Sequence, residues 1–163
     1  MGYNGVTNTI FHNKPVQIVA GYIKVYTNGD AMTIRVDVSV GEFLDKVTIL
    51  EIKSERIKDA AKLENVNKEL NLLKKIWAES PFAKEDITDE MSRLKTINEK
   101  LWEIEDDIRD KERAREFDEK FIELARAVYY SNDERAAIKK ELNVKLGSDL
   151  VEEKSYSDYS QAS

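Results

Sequence analysis

The sequence predicts a mainly α protein, a bundle of three or four antiparallel helices with a helical hairpin, preceded by a small N-terminal β-hairpin. Charged residues make up 36% of the 163 residues, and nearly all of them lie between residues 41 and 154. In that stretch apolar residues recur at steps of three and four, which is the spacing of one helix face. Five of the six glycines lie instead in the first 41 residues, where apolar residues alternate as in a strand.

These shifts in composition divide the chain into three parts. Residues 1–38 form an N-terminal segment whose β-hairpin spans 16–38, and residues 39–154 form the helical domain. Residues 155–163, which contain several Ser and Tyr residues, are predicted to be a flexible tail.

The predicted β-hairpin turns at Asn28-Gly29, because a type I′ turn needs positive φ at both central residues. Before this turn, the apolar residues of the first strand change from one face of the strand to the other. One extra residue at Gly21, a β-bulge, would return them to the same face. A two-stranded ribbon is marginally stable in water, so its apolar face needs a cover, either the helices or a second copy. The predicted cross-strand pairs are Val25 with Met32, Ile23 with Ile34, Ala20 with Val36, and Ile18 with Val38.

The first predicted helix runs from about residue 41 to 59 and begins at a capping box of Ser39 and Glu42. Two acids break its apolar pattern: Glu51 lies inside the apolar arc, and Asp45 lies between apolar residues on the far side. Because a buried carboxylate is costly unless it is paired, we expect both acids to have partners. The arc consists of Phe43, Leu44, Val47, Leu50 and Ile57.

The second and third helices carry matching apolar seams of the coiled-coil type. The second helix should end at Ser80-Pro81, because a residue before proline avoids the helical region, and the third spans about 85–116. A short connection joins the two seams, so these helices are predicted to pack as an antiparallel hairpin. The seams are Leu63, Val66, Leu70, Leu73 and Trp77 in the second helix and Leu94, Ile97, Leu101, Ile104 and Ile108 in the third.

The fourth helix is predicted to begin near Asp118, a suitable N-cap, and to end at Gly147. Its apolar stripe is interrupted at Ser131 and Arg135. Ser131 and Glu134 have the spacing of a capping box, so one interpretation is that a kinked helix restarts there. The other interpretation is that the polar residues at this break bind a ligand.

Composition excludes several classes of function. The formal net charge of −6 leaves no basic surface for nucleic acid or an anionic membrane. No apolar run approaches the ~20 residues that span a bilayer, and no signal peptide precedes the first strand. The lack of cysteine excludes disulfides and thiolate chemistry, which fits a cytoplasmic protein.

Several stretches of the helical domain together resemble an uncharacterised family of helical proteins from bacteria and phages. The resemblance runs from about Val36 to Tyr156, and the hairpin before it looks like an addition. The resemblance implies a helical fold without an established activity. Some members of the family are found near polysaccharide-building glycosyltransferases, which implies an accessory role beside such enzymes. The matching stretches are VGEFLDKVTILEIK at 40–53, LWEIEDDIR at 101–109, FIELAR at 121–126, VY at 128–129, NDER at 132–135 and EEKSY at 152–156.

Two pairs of acids are candidate ligands for Mg²⁺. Glu42 and Asp45 on the first helix, and Glu103 and Asp106 on the third, are each spaced to share one helix face. Such pairs are similar to the metal sites of all-α nucleotide pyrophosphohydrolases. In a domain this charged, the alternative is that they face water and are neutralised by neighbouring lysines and arginines.

The break in the fourth helix is the second candidate site. Arg126 and Lys139 lie about one turn either side of it, and with Arg135 they could grip a phosphate or carboxylate, as in an all-α mutase-type site. The structural alternative is that Arg126 or Arg135 pairs with an inward acid, either Glu51, Asp45 or Asp106. The candidate ligand-binding residues are Lys46, Glu51, Arg109, Arg126, Tyr129, Asn132, Asp133, Arg135 and Lys139.

Two functional hypotheses follow. The first is a non-catalytic helical interaction or assembly protein that needs no cofactor and self-associates, most simply as a two-fold dimer, with a further protein partner as an extension. The second is a small all-α enzyme or binding protein for phosphorylated sugars or nucleotides, with Mg²⁺ as its metal. An open cleft shared by the acids and the arginines favours the second hypothesis, and closed ion pairs favour the first.

Overall fold

The structure is a computed structural model of the chain, and it describes residues 10–11, 14–19, 22–25 and 36–155. The chain divides into two compact units, Met1–Val36 and Asp37–Ser163. The larger unit holds four α-helices, which confirms that the protein is mainly α. Within the described ranges, no helix combines the length and the apolar composition that a bilayer span requires.

The described residues of the smaller unit form three short strands, in the spatial order β1-β2-β3 with antiparallel neighbours. They are β1 (Ile10–Phe11), β2 (Lys14–Val19) and β3 (Tyr22–Val25). The register pairs Ile18 with Ile23, so two strands that pair with each other replace the single bulged strand of the prediction. The turn at Asn28-Gly29 and its partner strand lie outside the described residues, and that hairpin stays a prediction.

The approach to the first helix differs from the sequence prediction. Residues 36–39 are not part of a strand, and Val36 and Val38 are 72% and 48% exposed. The prediction that the second strand extends to Val38 is therefore wrong. The alternating valines resemble a strand face, but the backbone here leads into Ser39, which adopts the extended conformation of an N-cap.

Up to residue 155, where the described part of the larger unit ends, the chain forms four helices and one 3-10 turn. They are α1 (Val40–Arg56), α2 (Ala60–Ala78), the 3-10 turn (Pro81–Lys84), α3 (Thr88–Ala114) and α4 (Glu119–Lys145). Side chains cap α1 and α4 as predicted: Ser39 Oγ accepts from the Glu42 amide at 3.2 Å, and Asp118 Oδ1 accepts from the Phe121 amide at 3.0 Å. Glu42 does not complete the capping box, because its carboxylate binds Lys139 instead.

In the described chain, α1 lies at the centre of this unit. It neighbours all three other helices, α3 and α4 pair with each other, and the backbone of α2 neighbours only α1 and the 3-10 turn. The predicted hairpin of the second and third helices is therefore wrong. The reason is that α1 has two apolar faces, and the face with Val47 and Leu50 packs against Leu70 of the α2 seam.

The main core lies on the other face of α1, between α1, α3 and α4. Leu94 of α3 and Leu142 of α4 are both 0% exposed there, and Leu44 of α1 is 2% exposed. The buried members of this cluster are Leu44, Ile87, Leu94, Ile97, Ile138, Leu142 and Leu146.

Gly41 allows α1 to start in direct contact with α4. A Cβ added at this residue would lie 2.4 Å from the backbone oxygen of Lys139. The Gly41 amide donates a 2.6 Å hydrogen bond to Oδ1 of Asn143, whose side chain is 1% exposed. An amide at the start of a helix has no partner within the helix, so Asn143 satisfies a group that would otherwise be buried unpaired.

Candidate functional site

A cluster of polar side chains lies between α1, α3 and α4. We call it the polar cluster and define it as Asp45, Thr48, Asn98, Asn132 and Arg135. Three of its members are nearly inaccessible: Asp45 and Asn98 are 5% exposed and Thr48 is 0% exposed. Nδ2 of Asn98 donates to Oδ1 of Asp45 at 2.7 Å and to Oγ1 of Thr48 at 2.9 Å, so one amide from α3 joins two positions of α1.

Arg135 extends the polar cluster from α4. Its guanidinium donates to Oδ1 of Asn98 at 3.3 Å and to Oδ1 of Asn132 at 2.6 Å. Asn132 in turn donates to the Val128 carbonyl at 2.9 Å. The predicted direct pair between Arg135 and Asp45 is therefore not formed, and the amide of Asn98 lies between the two charges.

Burial is the dominant influence on Asp45 and raises its carboxyl pKa above the ordinary value of 3.8. The hydrogen bond from Asn98 lowers the pKa, as do the charges of Arg135 and Lys139, while the charge of Glu42 raises it. The net result is a carboxylate whose ionised form is disfavoured in the folded chain. Groups held in this way occur at functional sites more often than elsewhere in proteins.

We expect Asp45→Asn to remove a pH-dependent loss of stability. The carboxyl pKa of Asp45 is raised in the folded chain. At a pH between 3.8, the ordinary pKa, and the native pKa, the folded chain therefore binds the Asp45 proton more readily than the unfolded chain does. The contribution of Asp45 to stability is therefore greatest below 3.8 and falls as the pH rises through the native pKa. Urea unfolding from pH 3.5 to 7 should show the stability advantage of Asp45→Asn over wild type growing with pH.

The control for this experiment is Asp106→Asn, since Asp106 is an exposed acid on α3. We expect this variant to follow the wild-type stability at every pH. An advantage of Asp45→Asn that stays constant, or that shrinks as the pH rises, would contradict the assignment of Asp45 as a carboxylate destabilised by burial.

Lys139, one turn after Arg135, is the most enclosed cation on α4 in the described chain, with a side chain 8% exposed. Burial by itself lowers its pKa, but hydrogen bonds from its Nζ to Glu152 and Glu42 outweigh burial and raise that pKa. Both carboxylates lie 2.5 Å from Nζ. Lys139 therefore joins α1 and α4 to the segment that follows α4.

That segment, residues 147–155, folds back along α4, and we call it the C-terminal strap. Gly147 reverses the chain with a φ of +63°, a conformation that favours glycine. Ser148 Oγ accepts from the Val40 amide at 3.2 Å, near the start of α1. Further along, Nζ of Lys154 donates to the Asn132 carbonyl at 3.1 Å, so the strap extends to the polar cluster.

The four acids proposed as metal ligands are not brought together. Glu42 binds Lys139, and Glu103 pairs with Arg56 at 3.2 Å across α1 and α3. Asp45 is buried in the polar cluster, and Asp106 is exposed on α3. Among the residues that the structure describes, no group of three or more His, Cys, Asp or Glu side chains could hold a metal ion.

Several other candidate residues form ion pairs that have at least one exposed partner, and they do not form a site. Lys46 pairs with Glu69, and Lys74 pairs with Glu51, both at 2.7 Å between α1 and α2. Arg109 pairs with the acid one turn earlier on α3. These contacts are the closed pairs of the structural interpretation, and exposed pairs of this kind contribute little stability.

The candidates on the outer side of α4 are separated from the polar cluster. Arg126 donates to the Tyr130 hydroxyl at 3.4 Å and therefore pairs with no inward acid there. The rings of Tyr129 and Tyr130 lie 4.7 Å apart, and Asp133 lies 3.8 Å from Nζ of Lys154. Of the predicted ligand-binding residues, the structure gathers only Asn132, Arg135 and Lys139 at one place, with Asp133 at its edge.

The predicted restart of the fourth helix at Ser131 is wrong, because α4 is continuous from Glu119 to Lys145. Ser131 is 1% exposed, and its hydroxyl has no hydrogen-bond partner in the described part of the chain. Arg135 interrupts the apolar stripe because it reaches the polar cluster rather than because the helix ends.

Two residues of this region escaped the sequence analysis, Asn98 and Asn143. Asn98 lies one turn after Leu94 of the α3 seam, so an amide on an apolar seam was the available signal. Asn143 directly follows Leu142 on α4, and only the approach of Gly41 gives it a role. Neither residue forms part of a recognisable motif.

A groove lies beside the α1–α2 contact. It has a volume of about 530 Å³ and is lined by residues of α1, α2 and the start of α3. Val47 and Trp77 supply apolar surface from α1 and α2, and Met91 supplies it from α3.

Comparison with known proteins agrees with the family-level resemblance of the sequence. A family model described as "Family of unknown function (DUF6165)" matches residues 34–162, which includes all four helices. No match was found among curated proteins or solved structures. The predicted membership of an uncharacterised family is confirmed, and the chain belongs to the family of unknown function DUF6165.

Proposed function

We propose that this protein is a non-catalytic helical assembly module that self-associates as a two-fold dimer through α2. The observation that carries the proposal is the position of α2 at the side of the helical unit. In the described chain its backbone neighbours only α1 and the 3-10 turn, and Leu70 is the one buried residue among its 19. Most of this helix is therefore available to a second copy.

The outer face of α2 carries two large apolar residues. Leu72 is 57% exposed and Ile76 is 46% exposed, and they lie one helical turn apart on a face directed away from the seam. Single exposed apolar residues are ordinary on protein surfaces, but two on one helix that has a single buried residue form a continuous strip. Pairing two copies of this strip removes its apolar area from water.

A two-fold antiparallel arrangement of two α2 helices suits this strip. With the axis midway between the two helices, Leu72 meets Ile76 of the second copy. The helix is about 28 Å long at 1.5 Å per residue. It supplies less than the ~800 Å² per partner of a standard interface, so we expect dissociation in the micromolar range.

Analytical ultracentrifugation tests this proposal on the full chain. At about 100 μM, well above the expected dissociation constant, wild type should sediment with a mass near twice 18.8 kDa, and the double variant Leu72→Asp/Ile76→Asp should be monomeric. Placing a charge opposite an identical charge across the two-fold axis opposes association by several kcal/mol.

The matched control is Val144→Asp, because Val144 is 73% exposed on α4 and is equally apolar. We expect this variant to remain dimeric. A wild-type chain that stays monomeric at 100 μM, or a dimer that the α2 variant leaves intact, would refute the proposal.

The family resemblance also predicts an accessory role beside glycosyltransferases, and assembly through α2 is compatible with that role. The alternative function combined a metal-dependent reaction with the binding of a phosphorylated compound. The described residues offer the reaction no cluster of acids, whereas the binding of an anionic group is supported by one observation, the guanidinium of Arg135.

A further inference from the structure

We propose that Arg135 and Lys139 form a binding site for the carboxylate or phosphate group of a small molecule, and that the C-terminal strap covers this site with the carboxylate of Glu152. The proposal is independent of self-association through α2. It rests on the donors of Arg135, on the contacts of Lys139, and on the way in which the strap is held.

The first observation is that the guanidinium of Arg135 is held in a fixed orientation but forms no ion pair with a carboxylate of the described chain. Arg135 is half-buried, and its two hydrogen bonds go to the neutral amides of Asn98 and Asn132. Within the described chain, no carboxylate oxygen lies within 4.0 Å of it. A guanidinium has five N–H donors in a fixed fork that matches an oxyanion, so two anchored donors leave the others oriented for such a group.

The second observation is that the protein already places a carboxylate beside these cations. Glu152 lies 2.5 Å from Nζ of Lys139, and the charges of Lys139 and Arg135 both act on it. The hydrogen bond from Lys139 is the largest cause that holds the pKa of Glu152 below its usual range, and the charges of Lys139, Lys154 and Arg135 add to it in that order. Lys139 therefore already holds a carboxylate, and Glu152 acts as its internal ligand.

The third observation is that the strap is weakly held. Residues 149–155 have no regular secondary structure and are exposed, and Leu150 and Val151 are 47% and 40% exposed. Glu153 of the strap pairs with the exposed Lys140 at 3.2 Å, and Lys154 lies 3.8 Å from Asp133, whose side chain is 40% exposed. Exposed pairs contribute little free energy, and residues 149–155 belong to no helix, so exchanging Glu152 for another anion on Lys139 does not require a helix to unfold.

The position of the strap makes this displacement relevant to Arg135. The strap meets α4 at Asn143 through the Ser148 amide, at Lys139 through Glu152, and at Asn132 through Lys154. It therefore runs antiparallel to α4 and passes the level of Arg135 between its residues 152 and 154. A ligand that takes the place of Glu152 would bind Lys139, and the charge of Arg135, which acts on Glu152, would act on the ligand as well.

The test is isothermal titration calorimetry on the full chain at low ionic strength, with inorganic phosphate and acetate as separate probes. Glu152→Gln removes the internal ligand and should bind at least one probe about tenfold more tightly than wild type. Glu153→Gln is the matched control, because its partner Lys140 is exposed, and it should bind as wild type does. Binding of phosphate alone, or of acetate alone, identifies which of the two groups the site takes.

Two further variants tie the binding to Arg135. In the Glu152→Gln background, Arg135→Gln should abolish binding, and Arg135→Lys should weaken it about tenfold, because lysine keeps the charge and loses the fork. Circular dichroism and thermal unfolding check that each variant is folded. If Arg135→Gln does not fold, the affinity of Arg135→Lys decides whether Arg135 takes part in binding. Equal affinities of Glu152→Gln and Glu153→Gln, binding that survives both changes at Arg135, or no binding by any variant would overturn the proposal.

Discussion

Gly41→Ala is expected to destabilise the helical unit by about 3 kcal/mol or more. The new Cβ would lie 2.4 Å from a backbone oxygen of α4, and backbone cannot move aside as a flexible side chain can. Relief requires α1 to move away from α4, which also weakens the buried hydrogen bond from the Gly41 amide to Asn143. Urea unfolding followed by circular dichroism measures the loss.

Gly147→Ala is the matched control for this experiment. Nothing lies within 4 Å of a Cβ at Gly147, but its φ of +63° disfavours a side chain, so we expect a cost of about 1 kcal/mol. The ordering of the two variants is the informative result. If Gly41→Ala cost no more than Gly147→Ala, α1 and α4 would not meet as closely as the structure places them.

Leu142→Ala is expected to cost about 3 to 4 kcal/mol. Leu142 is 0% exposed and packs in the main core with Leu44, Leu94 and Ile138, so the side chains of three helices border the cavity that the change leaves. Such a cavity cannot collapse by moving one helix alone. Equilibrium unfolding in urea, analysed with a common slope, gives the difference in free energy of unfolding.

Val144→Ala, two residues further along α4, is the control for the cavity. Val144 is 73% exposed, so we expect its truncation to change stability by no more than about 0.5 kcal/mol. Similar losses at positions 142 and 144 would show that α4 does not face the core in the register described.

The helices were predictable because the signals that begin, end and orient them are local. The Ser39 and Asp118 caps act on amides three residues away, and Gly147 ends α4 through its own φ. The apolar stripes also identified which residues are buried, such as Leu94 on α3 and Leu142 on α4. None of these signals requires knowledge of a distant part of the chain.

The pairing of the helices was not predictable in the same way. A leucine seam indicates that one face of a helix is apolar, but it does not indicate which other helix packs against that face. For this reason the matching seams of α2 and α3 suggested a helical hairpin that is not formed. The second apolar face of α1, which contains Val47 and Leu50, packs against α2 instead. Gly41 adds to this arrangement, because its missing side chain brings α1 against α4.

The candidate site was likewise predictable only where the signal in the sequence is local. The sequence by itself marked Asp45, Glu51 and Arg135 as exceptional, since they interrupt apolar patterns that period and spacing make visible. Glu51 forms an ordinary pair with the exposed Lys74, whereas Asp45 and Arg135 belong to the polar cluster. Only the tertiary structure decided their partners: Asn98 lies between them, and Glu152 of the C-terminal strap reaches Lys139. The physical reason is that an apolar stripe acts over one turn of helix, whereas a hydrogen bond to a buried charge depends on where three separate segments come to lie.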